Sequence, residues 1–354
     1  MVVNQWVPAA HRGDAIGDSA RTVRDLLRAQ GHESDIFALR IDENMRGEAR
    51  PFADPGASAG DVTILHFAVP SPMTEAFARL PRGRVLQYHN ITPARFYAPY
   101  DPDIFRLATL GRRELASLSG RTDLALGDSE YNRRELDELG FADTAVFPVA
   151  VNVSRIVDAP GTPALEKWLN DGLTNFLFVG RMVPNKKIED IVRLAEHYKR
   201  YVDAHYRFIF VGRDEGVPRY TNMLGAFIAE LGWLPDRFLF TGGVPDRELA
   251  AYYRYSSVYI SMSEHEGFCV PLVEAMAADL PILAYSCAAI PDTLGGAGIQ
   301  FAPKDFEHAA ELLGMLAFDD GLRASVIEGQ RRRLVHFSAA RVDAEVRRLL
   351  ERFS

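Results

Sequence analysis

Short apolar segments alternate with amphipathic segments along the whole chain, and this alternation restricts the fold more than any other feature of the sequence. The apolar segments have the length and composition of buried strands, and the segments between them have helical periodicity. Strands that alternate with helices predict α/β layers around parallel sheets. We expect strands at Val2–Val7, Val62–Phe67, Val85–His89, Leu124–Gly127 and Ala145–Val149 in the first half, and at Asn175–Val179, Arg207–Val211, Phe238–Thr241, Val258–Ser261 and Pro281–Ala284 in the second.

Two strands of the second half have almost the same sequence. Phe176–Arg181 reads FLFVGR and Phe208–Arg213 reads FIFVGR, 32 residues further along the chain. That separation is the length of one strand–helix–strand unit. No third copy follows, so the repeat indicates one recurring unit inside a domain rather than a solenoid.

The length of 354 residues predicts about two domains. The segment Pro148–Leu173 contains Pro160-Gly161-Thr162-Pro163, which is typical of a connection between domains. We therefore predict an N-terminal domain at 1–150, a linker at 151–172 and a C-terminal domain at 173–335. Two doubly wound domains bind ligands at the carboxyl ends of their strands.

Composition excludes several classes of protein. The chain has 47% hydrophobic and 25% charged residues, which is ordinary for a globular protein. The chain has 48 acidic and 40 basic residues, so non-specific electrostatic binding to nucleic acid is not expected. Cys269 and Cys287 form no Cys-x-x-Cys pair, which argues against redox and zinc chemistry. No signal peptide and no membrane span is expected, which predicts a cytoplasmic protein and leaves peripheral membrane contact open.

The segment Ser263–Ala277 carries the first candidate site, directly after the predicted strand Val258–Ser261. Pro271 suits the first turn of a helix, and Glu274 is expected in that turn, with Glu266 on the loop before it. Free amides at a helix start hold anions, and two carboxylates can accept hydrogen bonds from sugar hydroxyls. For Glu274 alone, an acidic residue favoured by the helix dipole is an equally good explanation.

The segment Gly180–Lys187 carries the second candidate site, after the predicted strand Asn175–Val179. A glycine turn followed by Arg181 and Lys186 can clamp a diphosphate, because arginine offers a planar fork and lysine a point charge. Taken alone, a solvated basic turn is the better explanation, since exposed lysine and arginine are the norm.

Together these segments resemble the retaining GT-B glycosyltransferases of family four, the group 1 glycosyltransferases. Glu266 and Glu274 stand in E-G-F-x-x-P-x-x-E-A-M-A, the paired-glutamate motif of that family. Gly180-Arg181 with Lys186 matches its phosphate-binding residues. Further matches are Phe240–Val244, Glu248-Leu249, Tyr252-Tyr253 and Pro281–Ala284, so the resemblance covers most of residues 175–300.

The resemblance implies a role for each matching residue. Glu274 would bind the nucleotide ribose, and Glu266 would contact the donor hexose. Arg181 and Lys186 would hold the diphosphate and stabilise the departing nucleotide. The other implied donor contacts are Val244 at the base and Gly267, Phe268, Val270 and Leu272 around the start of the helix.

The first half offers two weaker candidates. The family places a glycine loop after the first strand, and Gly17 is the best match here, followed by Gly13. A plain turn explains these glycines equally well. His89 ends the strand Val85–His89, where many family members have a catalytic histidine that faces the sugar. A packed or surface histidine is the alternative.

No metal or cofactor is expected. Asp101-Pro102-Asp103 has the form of a D-x-D metal motif, but its proline-rich surroundings favour a turn. No His or Cys cluster has metal-ligand spacing. By resemblance, Arg181 and Lys186 take the place of a divalent cation. The chain departs from the family pattern at Cys269 and Lys187, where the family commonly has glycine.

The resemblance implies an α/β protein of GT-B fold, with two Rossmann-like doubly wound domains facing across a cleft and a C-terminal helix at 336–354 that returns to the first domain. The implied reaction moves a hexose from a UDP- or GDP-hexose to an acceptor hydroxyl with anomeric retention. The acceptor is a glycan, a lipid-linked sugar or another hydroxyl compound, and the protein acts in the cytoplasm or at the inner face of the membrane. The alternatives are a sugar-nucleotide epimerase of the same fold and a non-catalytic sugar-nucleotide or glycan-binding partner protein.

Overall fold

The computed structural model describes residues 1–11, 13–214, 216–232 and 236–353. These residues form two compact units. Unit 1 consists of residues 1–95, 103–152 and the chain from His336 onward, and unit 2 consists of residues 96–102 and 153–335.

Each unit is built on one parallel sheet, which confirms the α/β class predicted from the alternating segments. Unit 1 has strand order β3-β2-β1-β4-β5-β6-β7, and unit 2 has β10-β9-β8-β11-β12-β13. The strands of unit 1 are β1 (Val3–Ala10), β2 (Ile36–Ile41), β3 (Arg50–Pro51), β4 (Val62–Phe67), β5 (Arg84–Tyr88), β6 (Leu124–Gly127) and β7 (Thr144–Val146). Those of unit 2 are β8 (Thr174–Val179), β9 (Tyr206–Val211), β10 (Phe238–Gly242), β11 (Val258–Ser261), β12 (Ile282–Tyr285) and β13 (Ile299–Phe301).

Helices follow most of the strands. In chain order they are α1 (Ala15–Ala29), α2 (Pro72–Ala78), α3 (Pro102–Ser117), α4 (Glu130–Glu138), α5 (Ser154–Val157), α6 (Pro163–Leu169), α7 (Ile188–Tyr201), α8 (Pro218–Glu230), α9 (Asp246–Arg254), α10 (Val270–Ala277), α11 (Ile290–Leu294), α12 (Phe306–Phe318), α13 (Asp320–Leu334) and α14 (Ala339–Glu351). α14 packs Val346, Leu349 and Leu350 against Val3 and Leu27 in the core of unit 1.

The strand order reverses direction once in each sheet. β1 lies beside β4 in unit 1, and β8 lies beside β11 in unit 2. In a doubly wound sheet the loops at the carboxyl ends of two such strands diverge and leave a crevice that binds ligands. The loops after β8 and β11 are those that contain the two candidate sites of unit 2.

The segment expected to be a linker contributes to the body of unit 2. α5 and α6 occupy much of residues 151–172, and α5 packs against α9 and α10. Ile156 of α5 and Leu169 of α6 are buried in the core of unit 2 beside Leu177 and Tyr259. The chain passes from unit 1 to unit 2 between residues 152 and 153.

The repeated V-G-R sequence has a steric reason. Gly180 and Gly212 follow β8 and β9 with φ values of 154° and 148°. A Cβ on Gly212 would lie 2.0 Å from the carbonyl oxygen of Gly180. The amide of Gly180 donates to Val211 at 2.9 Å, and the amide of Met182 donates to Arg213 at 3.0 Å. The two glycines therefore allow the loops after β8 and β9 to approach each other closely.

We expect Gly212→Ala to destabilise unit 2, because the added Cβ can be accommodated only by a backbone shift. Such a shift in a packed site costs about 1–3 kcal/mol. Gly225→Ala in α8 is the matched control, since its Cβ would meet no described atom within 4 Å and alanine favours helices by about 1 kcal/mol. Thermal melting should show a lower Tm for G212A and an unchanged or higher Tm for G225A. A wild-type Tm for G212A would contradict the close approach.

Candidate functional site

The two candidate sites of unit 2 lie at the carboxyl ends of β8 and β11. These strands pair in parallel, with Val258 opposite Phe176. The loop that follows β8 contains residues 180–187. The segment that follows β11 contains residues 263–274 and continues into α10. Residues that are far apart in the sequence are thus brought to one edge of one sheet.

Lys186 and Glu266 form a direct ion pair. The Nζ atom of Lys186 lies 2.5 Å from Oε1 and 2.6 Å from Oε2 of Glu266. The lysine side chain is 17% exposed and the glutamate side chain 7%. An ion pair with so little solvent is costly to break by removing one partner, because the remaining charge stays buried.

Hydrogen bonds hold the two loops in register. The side-chain amide of Asn185 donates to the carbonyl of His265 at 2.9 Å, and the amide of Glu264 donates to the carbonyl of Asn185 at 2.9 Å. Lys187 lies 3.6 Å from the carboxylate of Glu264. Lys186 and Glu266 are therefore positioned by the contacts on either side of them.

Further residues surround this pair, and no motif in the sequence indicated them. Lys304 lies 2.6 Å from Asp190 and 2.9 Å from Glu264. Phe96, in the short segment of unit 2 that precedes α3, has its ring 6.2 Å from the ring of His265 and 5.9 Å from the Nζ atom of Lys187. These contacts restrict the movement of the loop that carries Glu266.

Arg181 differs from Lys186 in its surroundings. Its side chain is exposed and has no ion pair or side-chain hydrogen bond with the part of the chain that the structure describes. It follows Gly180 directly, at the end of β8. The guanidinium is therefore available to an anionic ligand.

Glu274 is 1% exposed and has a partner on each carboxylate oxygen. Arg155 donates to Oε1, and the hydroxyl of Tyr253 donates to Oε2 at 2.8 Å. The expectation that Glu274 lies in the first turn of its helix is wrong: α10 begins at Val270, and its first turn has no acidic residue. The helix dipole therefore does not explain this glutamate.

The charges around Glu274 affect one another. Burial by itself would lower the pKa of Arg155, but the carboxylates of Glu274 and Asp246 raise it above its ordinary value. Burial, and then the charge of Glu274, raise the pKa of Tyr253 well above its ordinary value. Arg155 thus stays charged and Tyr253 stays a hydrogen-bond donor beside the carboxylate. Sequence reasoning missed Arg155 because it stands alone in the predicted linker.

The remaining donor contacts implied for unit 2 lie around α10 and after β10. Gly267 and Val270 are half-buried, whereas the side chains of Phe268 and Leu272 belong to the interior. Only the backbone groups of Phe268 and Leu272 could serve a ligand. Val244 is half-buried and packs against the core of unit 2 after β10.

Both departures from the family pattern have a left-handed backbone. Lys187 has φ 53° and Cys269 has φ 70°. Glycine adopts this conformation without steric cost, whereas other residues do so at a cost of about 1 kcal/mol or more. Glycine, which the resemblance implies for the family at these positions, would therefore fit the backbone here without strain. Burial also raises the pKa of the Cys269 thiol, so that the thiol stays protonated.

Gly17 of unit 1 is needed for packing. A Cβ at this position would lie 2.6 Å from the carbonyl oxygen of His11, and the Gly17 amide donates to the side chain of Asp14, which caps α1. Gly13 has φ 75° and open space around it. Arg12, in the same loop, lies outside the described residues.

His89 belongs to a buried chain of polar side chains. Its Nδ1 atom lies 2.8 Å from Asp128, and its Nε2 atom lies 2.9 Å from Nδ1 of His66. His66 in turn lies 3.0 Å from the side chain of Gln5. The His89 side chain is 3% exposed. Both ring nitrogens are therefore bonded within unit 1, which is the arrangement expected of a packed histidine.

The described residues contain no group of three or more His, Cys, Asp and Glu side chains that could hold a metal ion. In the D-x-D sequence, Asp101 precedes α3 and Asp103 lies in its first turn. Among the same residues, no helix is long and apolar enough to cross a membrane.

Comparison with known proteins identifies the family. Residues 166–333 match the family described as glycosyl transferases, group 1. A GDP-mannose-dependent alpha-mannosyltransferase of Mycolicibacterium smegmatis is 31% identical over 305 residues, which are 77% of this chain and 76% of that protein. The chain belongs to the group 1 glycosyltransferases.

Other similar proteins cover the chain to different extents. A GDP-mannose-dependent alpha-mannosyltransferase of Mycobacterium tuberculosis is 28% identical to this group 1 glycosyltransferase over 256 residues. The match covers 70% of this chain and 62% of the length of that relative. The crystal structure of Anabaena HepE in complex with UDP-glucose has a TM-score of 0.76 and 15% identity, and the match covers 99% of each chain. This likeness confirms the GT-B fold class expected from the sequence.

We expect acid to destabilise unit 1 through His66. Burial, and then the neighbouring His89, hold the pKa of His66 well below the ordinary value of 6.5. The folded chain thus keeps this ring neutral, while the unfolded chain takes up a proton below about pH 6.5. The contribution of His66 to stability is complete above that pH and falls by up to about 1.4 kcal/mol per pH unit below it.

In melting experiments between about pH 7.5 and 5, the Tm of the His66→Gln variant should fall less on acidification than the Tm of the wild type. His205→Gln, at an exposed histidine, should follow the wild type, and parallel curves for all three proteins would contradict the prediction.

Proposed function

We propose that this protein is a retaining hexosyltransferase that moves a sugar from a nucleoside diphosphate to an acceptor hydroxyl without a metal ion. One observation carries the proposal: Lys186 and Glu266 are paired at the adjoining carboxyl ends of β8 and β11, and Arg181, on the same loop as Lys186, has no side-chain partner among the described residues. The family and the fold support a nucleotide-sugar reaction at this edge of the sheet.

The leaving group determines what these residues must do. When the anomeric bond breaks, its electron pair stays on the β-phosphate, which gains negative charge. Arg181 and Lys186 would lie against that phosphate, and the amides at the start of α10 would add partial positive charge. Such groups lower the barrier because they are oriented before the reaction begins. A divalent cation is not needed to neutralise the charge.

Retention follows from a same-face path. The acceptor oxygen forms its bond to the anomeric carbon on the side from which the phosphate departs, and the acceptor proton passes to a phosphate oxygen. The products are a glycoside and a nucleoside diphosphate. Glu266 is already paired with Lys186. This pairing suits a carboxylate that accepts hydrogen bonds from the hexose hydroxyls rather than one that attacks the anomeric carbon.

Unit 1 supplies two further proposed contacts. Gly17 would bring the backbone near the donor phosphates, and His89 would face the sugar as a catalytic residue. His89 would first have to release Asp128 or His66, because both of its nitrogens are bonded.

The relatives suggest which donor to test first. Two of them are named as GDP-mannose-dependent mannosyltransferases, and the similar HepE structure holds UDP-glucose. We propose GDP-mannose as the donor, with UDP-glucose as the competing choice. The acceptor would be a glycan, a lipid-linked sugar or another hydroxyl compound, used in the cytoplasm or at the inner membrane face.

A panel of donors and acceptors tests this function. Release of GDP from GDP-mannose only in the presence of an acceptor, with an α-linked product identified by NMR, is the expected result. Conversion of the donor without any acceptor would instead indicate an epimerase. Donor binding without turnover under any pairing would indicate a non-catalytic binding protein.

We expect Arg181→Met to lower kcat/KM by about 100-fold, because one lost donor at such a site costs about 3 kcal/mol. Its Tm should stay at the wild-type value, since the side chain is exposed and unpartnered within the described chain. Arg332→Met, at an exposed arginine of α13, is the control and should keep full activity. Full activity of R181M would refute the phosphate contact.

Lys186→Met should lose both activity and stability, because it leaves Glu266 buried without its cation. The double variant Lys186→Met/Glu266→Gln should recover the Tm and remain inactive. This separates the structural role of the pair from its role in the reaction, and an active double variant would show that the pair only stabilises the fold.

A further inference from the structure

The side chain of Arg155 connects three helices at Glu274. α5, which carries Arg155, is the first helix of unit 2 after the chain leaves unit 1 at residue 152. One arm of the guanidinium donates to Oε1 of Glu274 in α10, and the other lies 2.6 Å from Asp246 in α9. Tyr253 of α9 donates to Oε2 of Glu274. Each oxygen of the Glu274 carboxylate therefore has one fixed donor.

These two donors do not use the full hydrogen-bonding capacity of the carboxylate. An ionised carboxylate accepts about four hydrogen bonds, so each oxygen of Glu274 can take one more. The two remaining sites, one on each oxygen, both accept, which suits a ligand with two neighbouring hydroxyls such as the 2′ and 3′ hydroxyls of a ribose. Glu274 is 1% exposed, and Arg155 is the cation paired with it among the described residues. Without that cation, the buried carboxylate would rotate or take up a proton.

Arg155 is not the only residue that anchors α5. The side chain of Arg254 donates to the carbonyls of Ile156, Val157 and Ala159, at the end of α5 and just beyond it. Ile156 is also buried in the core of unit 2. The position of α5 and the orientation of Glu274 can therefore be disturbed separately.

We propose that Arg155 is a positioning residue that orients Glu274 for a vicinal diol, and so sets the preference of the site for ribonucleotides over 2′-deoxyribonucleotides. The proposal rests on the proposed function, in which Glu274 binds the nucleotide ribose. It adds a residue from outside the family's motif, and it assigns that residue a measurable specificity.

The experiment measures Kd by calorimetry for GDP, 2′-deoxy-GDP, UDP and 2′-deoxy-UDP. The wild type should bind the ribose form of its preferred nucleotide at least about tenfold more tightly than the deoxy form. A tenfold ratio of Kd values is the smallest effect expected from the loss of one hydrogen bond to a charged group. Arg155→Met should reduce this ratio to about twofold or less. Arg155→Lys keeps the charge but lacks the fork that spans Asp246 and Glu274, so its ratio should lie between the two. Arg254→Met should lower the Tm and keep the wild-type ratio.

The possible failures are distinguishable. If R155M binds both forms more weakly by the same factor, or R155K keeps the wild-type ratio, Arg155 is only structural and the proposal is overturned. If Glu274→Gln keeps the wild-type ratio, the ribose contact itself is wrong, and the proposal falls with it. If the wild type binds none of the four nucleotides, the proposed function is overturned as well.

Discussion

The contacts between the loops after β8 and β11 are the constraint on which the candidate site depends. Asn185 bonds to Glu264 and His265, and Lys186 pairs with Glu266, across 80 residues of sequence. These loops can meet only because the strand order places β8 beside β11. Once the sheet has formed, the contacts fix a lysine and a glutamate without help from a ligand. Because these side chains are already oriented, substrate binding requires little reorganisation of the site.

The charges of unit 2 follow one pattern around these loops. Glu266 is paired with Lys186, Glu274 with Arg155, and Glu264 with Lys304. Glu266 and Glu274 are buried, and burial makes an unpaired carboxylate costly, whereas Glu264 is half-buried and its cation helps hold the loop. Arg181 is the exception in the described part of this site, since its charge is exposed and unpartnered. The balance therefore leaves positive charge at the end of β8, where an anionic diphosphate would compensate it.

Much of this arrangement could be predicted from the sequence. The V-G-R repeat and the apolar strands around it indicate a parallel sheet, and the paired glutamates fall beside the strand that reverses the order. Arg155 and Phe96 could not be found in this way, because their contacts depend on tertiary packing and no local pattern precedes them. β2, β3 and β13 were also missed: β3 and β13 are short, and the second half of β2 is largely exposed, so their apolar signal is weak.

The left-handed residues show how a site can keep its geometry while its sequence changes. Cys269 and Lys187 stand where glycine would remove backbone strain, yet both conformations are held by local hydrogen bonds. The carbonyl of Cys269 accepts from Leu272 at 3.0 Å, and the carbonyl of Lys187 accepts from Asp190 at 3.0 Å. Strain of this kind persists only where the surroundings determine the backbone from several sides. At Lys187 the side chain also adds a cation beside Glu264, which glycine could not supply. Lys187 therefore lacks the backbone freedom of glycine but supplies a charge that helps hold the loop of Glu266.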